Sequence, residues 1–123
     1  MLKISLQVRR WALGLCVVSV LVLALMPSPP EMLSTGWDKA NHSLAFSVIV
    51  VLGCYAFPGN KWSVMLGSLA YGALIEVLQW FTSYRSAEWS DLLADSIGVV
   101  IGLLVVRLIG LAMATLTPKL HSD

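Results

Sequence analysis

Residues 91–116 read DLLADSIGVVIGLLVVRLIGLAMATL and form the longest apolar segment of the chain. No charged residue lies between Asp95 and Arg107. The apolar run reaches the roughly 17–25 residues that a helix needs to cross a bilayer. This stretch therefore predicts a transmembrane helix.

Similar apolar segments precede it at residues 11–26, 38–57 and 62–81. The prolines at 27, 29 and 30 end the first segment, because proline cannot continue a hydrogen-bonded helix. Residues 58–61 (PGNK) form a turn signal between the next two segments. We predict an all-α membrane protein with a single domain over residues 1–123, a bundle of four transmembrane helices at about 11–26, 38–57, 62–81 and 91–116. Val50 is expected to face lipid.

Composition excludes other classes of protein. Hydrophobic residues make up 58% of the chain and charged residues 12%, with a mean hydropathy of +0.82, whereas a typical soluble domain has about 25% charged residues. A net charge of +1 without a long basic run excludes nucleic acid as a partner. Cys16 and Cys54 lie in apolar runs and define neither a disulfide framework nor a metal site. No cofactor and no metal are expected, and the oligomeric state stays open.

The orientation follows from the distribution of lysine and arginine, which are kept on the cytoplasmic side. An amino terminus inside the cell places six basic residues on the inner face (Lys3, Arg9, Arg10, Lys61, Arg107, Lys119) and two on the outer face (Lys39, Arg85). The tryptophans then fall at the two interfaces, with Trp11 and Trp62 inside and Trp37, Trp80 and Trp89 outside. Both termini are therefore predicted to be cytoplasmic. The first helix is expected to be retained, because no small-x-small cleavage site follows it.

Polar residues gather at the outer ends of the predicted helices. Ionisable groups in transmembrane segments usually face a bundle interior or a wet cavity, which makes them candidates for function. We predict an outward-facing polar pocket lined by Asp38, Lys39, His42, Glu76, Gln79, Arg85, Glu88, Asp91 and Asp95.

Structural roles compete with this interpretation. Asp38 and Asp91 also suit helix starts, where a carboxylate meets free amides. His42 would be satisfied by a hydrogen bond to Asp38 or Glu76, and this is favoured over metal binding. Gln79 and Asp95 would equally serve as contacts between helices.

Two glycines in the last segment predict close helix packing. Gly98 and Gly102 form a small-xxx-small pair, which lets a neighbouring helix approach closely. We expect that neighbour to be the third helix.

Three short motifs resemble a known family. Asp38-Lys39-x-x-His42, Glu76-x-x-Gln79 and Arg85-x-x-Glu88-x-x-Asp91-x-x-x-Asp95-x-x-Gly98 occur in the order seen in the VanZ-like family of small bacterial membrane proteins. The resemblance implies a multi-pass protein of the bacterial cytoplasmic membrane. The family's namesake is linked to low-level resistance to the glycopeptide teicoplanin. That family usually has asparagine where this chain has Asp95, and the added carboxylate requires a cation, a basic partner or a proton.

Two functions follow as hypotheses. The first is an envelope accessory protein whose pocket binds the polar or anionic headgroup of a membrane lipid or a lipid-linked cell-wall precursor, with Lys39 and Arg85 as donors. The alternative is an intramembrane enzyme acting on a lipid or glycolipid headgroup, with His42 or Glu76 as general acid or base. The sequence leaves open whether a reaction is catalysed. An ion or proton transporter is disfavoured, because the inner half of the membrane has few polar residues to line a path.

Overall fold

The protein is described by a computed structural model over residues 3–26, 38–82 and 89–116, and these residues form an all-helical bundle. Its helices are α1 (Leu6–Leu25), α2 (Asp38–Ala56), α3 (Lys61–Trp80) and α4 (Trp89–Leu116). The predicted all-α class is confirmed. α1, α3 and α4 are each long and apolar enough to cross a membrane.

The first helix begins earlier than the apolar pattern predicts, at Leu6 rather than residue 11. Ser5 caps it, since its side-chain oxygen accepts a hydrogen bond from the Val8 amide at 3.2 Å. Arg9 and Arg10 are therefore helical. The other three helices begin and end within two residues of their predicted bounds.

The basic side chains of α1 also fix the position of α2. The Arg9 Nη1 donates to the Tyr55 carbonyl at 3.3 Å, and the Arg10 Nε donates to the Ala56 carbonyl at 3.2 Å. A cation suits the carboxyl end of a helix, where carbonyl groups are left without helical partners. The start of α1 thus lies beside the end of α2, so the two helices are antiparallel.

Side-chain hydrogen bonds align α2 with α4. The Ser43 hydroxyl donates to the Ala94 carbonyl at 2.8 Å, and one turn further the Ser47 hydroxyl donates to the Gly98 carbonyl at 3.0 Å. Both sequence positions increase together, so α2 and α4 run in the same direction. The amino ends of α2 and α4 therefore lie at one end of the bundle.

α1 and α3 run in the opposite direction to α2 and α4. The Tyr71 hydroxyl donates to the Val17 carbonyl, and the Gln79 amide donates to the Ala24 carbonyl at 2.9 Å. Consecutive helices thus alternate in direction. The carboxyl ends of α1 and α3 join the amino ends of α2 and α4 at the same end of the bundle.

The glycines of α4 pack against α2, which corrects the expectation that they contact the third helix. A Cβ at Gly98 would collide with the Ser43 carbonyl oxygen, and one at Gly102 would lie 2.8 Å from both the Ser47 carbonyl oxygen and the Val50 Cβ. These serines and glycines let the two helices approach closely. The sequence spacing gives the face of α4 that packs but does not identify the neighbour.

The core contains Phe46, Val50, Ile75 and Val99. Val50 is fully buried against Gly102, so the expectation that it faces lipid was wrong. Many large apolar side chains are exposed instead, among them Leu104, Leu108 and Leu111 on α4. A surface of this kind suits lipid rather than water.

Exposed tryptophans mark both ends of the bundle. Trp11 and Trp62, 72% and 73% exposed, lie at the end where α1 and α3 begin. Trp80 and Trp89, 79% and 80% exposed, lie at the opposite end. Tryptophan at both ends of apolar helices is typical of the two membrane interfaces.

Candidate functional site

Among the side chains that the structure describes, five ionisable ones lie at the end of the bundle where α2 and α4 begin, and we refer to them as the polar layer. α2 carries two of them, α3 one and α4 two. The residues of the polar layer are Lys39, His42, Glu76, Asp91 and Asp95.

His42 lies between the two aspartates of α4. Its Nδ1 is 2.8 Å from Asp95 Oδ1, and its Nε2 is 3.9 Å from Asp91 Oδ2. The aspartates are four residues apart and thus share one helix face. The hydrogen-bond partner of His42 is therefore Asp95, whereas the sequence pointed to Asp38 or Glu76.

Burial increases from the end of the bundle inwards. The Asp95 side chain is fully buried, His42 is 16% exposed and Asp91 is 13% exposed. Lys39, 40% exposed, places its Nζ 4.0 Å from Asp91 Oδ1. A lysine and a histidine thus flank Asp91, whereas Asp95 lies deeper against the imidazole.

Glu76 approaches the same imidazole from α3. One ligand atom from each of His42, Glu76 and Asp95 can be chosen so that all three lie within 4.8 Å of one another. Gly72, one turn before Glu76, leaves room for the aspartate, because a Cβ there would lie 2.8 Å from Asp95 Oδ2. This Oδ2 is buried and has no hydrogen-bond partner among the described residues.

Gln79 connects helices α3 and α1. It is 3% exposed, and its amide donates to the Ala24 carbonyl. This contact gives it a structural role, although its buried Oε1 has no hydrogen-bond partner in the described part of the chain. Whether it also touches a ligand stays a prediction.

The structure does not describe the side chains of three predicted pocket residues. The side chain of Asp38, whose backbone begins α2, and the residues Arg85 and Glu88 lie outside the described residues. Their place in a pocket stays a prediction.

Two further polar residues, which the sequence did not predict as part of the site, lie beside the polar layer. The hydroxyl groups of Ser43 and Ser47 form hydrogen bonds from α2 to α4, and both serines follow His42 along α2. Their four-residue spacing was visible in the sequence, but serine is common in apolar helices and is not by itself a signal of function.

A groove of about 520 Å³ lies elsewhere in the bundle, between α1, α2 and α3. It is mainly apolar, and none of its lining residues belongs to the polar layer. The groove therefore does not represent the predicted polar pocket.

The electrostatics of the polar layer are unbalanced among the described side chains. Three carboxylates face one ammonium group and one imidazole. Burying carboxylates is costly unless a positive charge, hydrogen bonds or a proton compensate them. Lys39 and His42 supply part of this compensation for Asp91 and Asp95.

Long apolar helices with exposed lipid-compatible faces define a membrane protein, and the polar layer at one end of the bundle is its candidate site. The chain belongs to the VanZ/LLP1 family, whose sequence model matches residues 16–110. The match includes α2 and α3 entirely and all five residues of the polar layer. The predicted VanZ-like family is thus confirmed. No curated protein and no solved structure matches the chain.

Proposed function

We propose that the chain is a four-span protein of the bacterial cytoplasmic membrane with both termini in the cytoplasm. α2 is the most polar helix, yet its 19 residues extend about 28 Å, close to the roughly 30 Å hydrocarbon core. It pairs with α4, which shields His42 and the serines from lipid. Arg9, Arg10 and Lys61 share one end of the bundle, which favours that end as the cytoplasmic one.

The polar layer, in this proposal, binds the headgroup of a membrane lipid or a lipid-linked cell-wall precursor at the outer face. The observation that carries this is the convergence of ionisable side chains from three helices at one depth of an otherwise apolar bundle. Such groups are costly in a membrane, and in membrane proteins they mark functional sites. The chain then acts as an accessory protein of the envelope, with glycopeptide (teicoplanin) susceptibility as one process it would influence.

The charged side chains of the polar layer indicate which chemical groups the headgroup carries. The carboxylates of Glu76, Asp91 and Asp95 can accept hydrogen bonds from the hydroxyl or amino groups of a headgroup, which a bare phosphate lacks. Lys39, the most exposed member of the layer, is placed to meet an acidic part of the same headgroup. A disaccharide–pentapeptide headgroup that is joined to a lipid by pyrophosphate offers hydroxyl and amino groups as well as acidic groups.

Binding by the purified protein tests this proposal. A lipid-linked disaccharide–pentapeptide is added to the detergent-solubilised chain and detected by native mass spectrometry, with the carrier lipid monophosphate as comparison. We expect the disaccharide–pentapeptide to bind better, and Glu76→Gln to weaken its binding. Val48→Leu is the control, because Val48 is 42% exposed and lies outside the polar layer. Equal binding of both lipids, or no effect of Glu76→Gln, would contradict headgroup recognition by the layer.

An intramembrane enzyme acting on the same headgroup is the second candidate, and the His42–Asp95 contact favours it. In the tautomer that carries its proton on Nδ1, the imidazole donates to the buried Asp95 carboxylate, which orients the ring. The other nitrogen, Nε2, lies 3.9 Å from Asp91 Oδ2 and would act as the base. Incubation with the lipid-linked substrate, followed by mass spectrometry of the headgroup, separates the candidates. Turnover that His42→Gln abolishes supports the enzyme, whereas stable binding without a product supports the accessory protein.

A further inference from the structure

We propose that His42, Glu76 and Asp95 bind one divalent transition-metal ion of the Zn²⁺ or Mn²⁺ class. The three side chains come from three helices, so a bound ion would join α2, α3 and α4. Their potential ligand atoms lie within 4.8 Å of one another. Ligands of a tetrahedral Zn²⁺ at about 2.0–2.2 Å from the ion are separated by roughly 3.3–3.6 Å. Small side-chain movements would therefore complete the coordination.

The buried carboxylate of Asp95 provides a second, independent indication. Asp95 is 0% exposed, and its Oδ2 has no hydrogen-bond partner among the described residues. A buried carboxylate oxygen in this state is costly unless a cation or a donor meets it. Oδ2 lies against Gly72 of α3, where a Cβ would come within 2.8 Å of it, so the carboxylate extends from α4 to the helix that carries Glu76.

The donor set determines the class of ion. One imidazole nitrogen and two carboxylates suit ions that accept both nitrogen and oxygen, and zinc and manganese are of this kind. Mg²⁺ and Ca²⁺ prefer oxygen ligands alone. Three protein ligands leave at least one coordination position open for water or for a ligand's oxygen.

The neighbouring Asp91 provides a matched control. It lies one turn before Asp95 on the same helix face, but it is placed between Lys39 and His42 Nε2 rather than in the three-residue set. An ion held by general negative charge would depend on both aspartates. An ion held by coordination would depend on Asp95 far more than on Asp91.

The test uses metal alone, without lipid. The full chain, purified in detergent through a histidine-free tag and treated with a chelator, is equilibrated with Zn²⁺, Mn²⁺ or Mg²⁺, and bound metal is measured after gel filtration. We expect one Zn²⁺ per chain, weaker Mn²⁺ and little Mg²⁺. Asp95→Asn and His42→Gln should each weaken Zn²⁺ binding by at least about a hundredfold, the upper end of the loss caused by removing a ligand's outer partner. Asp91→Asn and His121→Ala should keep the full stoichiometry.

A second measurement uses only the wild-type chain, so its result does not depend on whether the variants fold. The chain has two histidines, His42 and His121. Zn²⁺ should protect His42 from diethyl pyrocarbonate while His121 keeps reacting, as seen by mass spectrometry of the peptides. The proposal is overturned if wild type binds no Zn²⁺, if Asp95→Asn binds it normally, or if Zn²⁺ leaves the reactivity of His42 unchanged. None of these results affects headgroup binding measured in a chelator, so the two proposals fail separately.

Discussion

The His42 imidazole and the Asp95 carboxylate lie 2.8 Å apart although they are 53 positions apart in the chain. This contact joins α2 to α4 at the depth where the bundle is most polar. Because Asp95 is fully buried, neighbouring groups rather than water must stabilise its carboxylate.

Removing one member of this pair should cost more than removing both. His42→Ala leaves a buried carboxylate without its imidazole, and breaking a buried pair in this way costs on the order of 3–5 kcal/mol. The double variant His42→Ala, Asp95→Asn should be more stable than His42→Ala alone. Thermal unfolding in detergent measures the four states of this cycle, and additive losses would show that the pair is not coupled.

Larger residues at Gly98 and Gly102 should separate α2 from α4. Either glycine replaced by leucine forces the Ser43 or Ser47 backbone away, and overpacking of this kind costs roughly 1–3 kcal/mol. Gly110→Leu is the matched control on the same helix, because nothing lies within 4 Å of a Cβ at that position. Melting temperatures that fall equally in all three variants would contradict the close approach of α2 and α4.

The Gln79 amide should contribute to the attachment of α1. Gln79→Leu removes its hydrogen bond to Ala24, and bonds of this type within membranes contribute about 0.6 kcal/mol on average. Limited proteolysis or thermal unfolding should show a small loss of stability with headgroup binding retained. Loss of binding with unchanged stability would instead make Gln79 part of the site.

The orientation of the chain is tested with single cysteines in a background where Cys16 and Cys54 are alanine. Cysteines at Ser34 and Ser83 should react with a membrane-impermeant thiol reagent in intact cells or spheroplasts. A cysteine at Asn60, in the turn between α2 and α3, should be protected until the membrane is permeabilised. The opposite pattern of labelling would place both termini outside the cytoplasm.

The sequence predicted most of the helical architecture, because uninterrupted apolar runs and proline or glycine turns are local signals. It placed the start of α1 too late, since the apolar pattern begins at Trp11 whereas the helix begins after the cap at Ser5. The contacts of the Arg9 and Arg10 side chains with the carbonyl groups that end α2 have no local signature in the sequence.

The sequence also predicted that His42, Glu76, Asp91 and Asp95 share one depth, because depth follows from position along a helix. It did not predict which side chains touch. The bond from His42 to Asp95, the packing of Gly98 against α2 and the burial of Val50 depend on how each helix is rotated towards its neighbours. Spacing within a helix gives a face, and only packing between helices decides what that face meets.

Cross-linking in cells tests whether the polar layer meets a headgroup at one end of the bundle. Trp89 and Trp62 are similarly exposed, 80% and 73%, but lie at opposite ends, so p-benzoylphenylalanine in place of either gives a matched pair of probes. In cells labelled with radioactive N-acetylglucosamine, light should produce a labelled adduct from the probe at 89 but not at 62. Glu76→Gln should remove that adduct at an unchanged protein level. Equal adducts at both ends, or an adduct that persists in Glu76→Gln, would contradict a headgroup site in the polar layer.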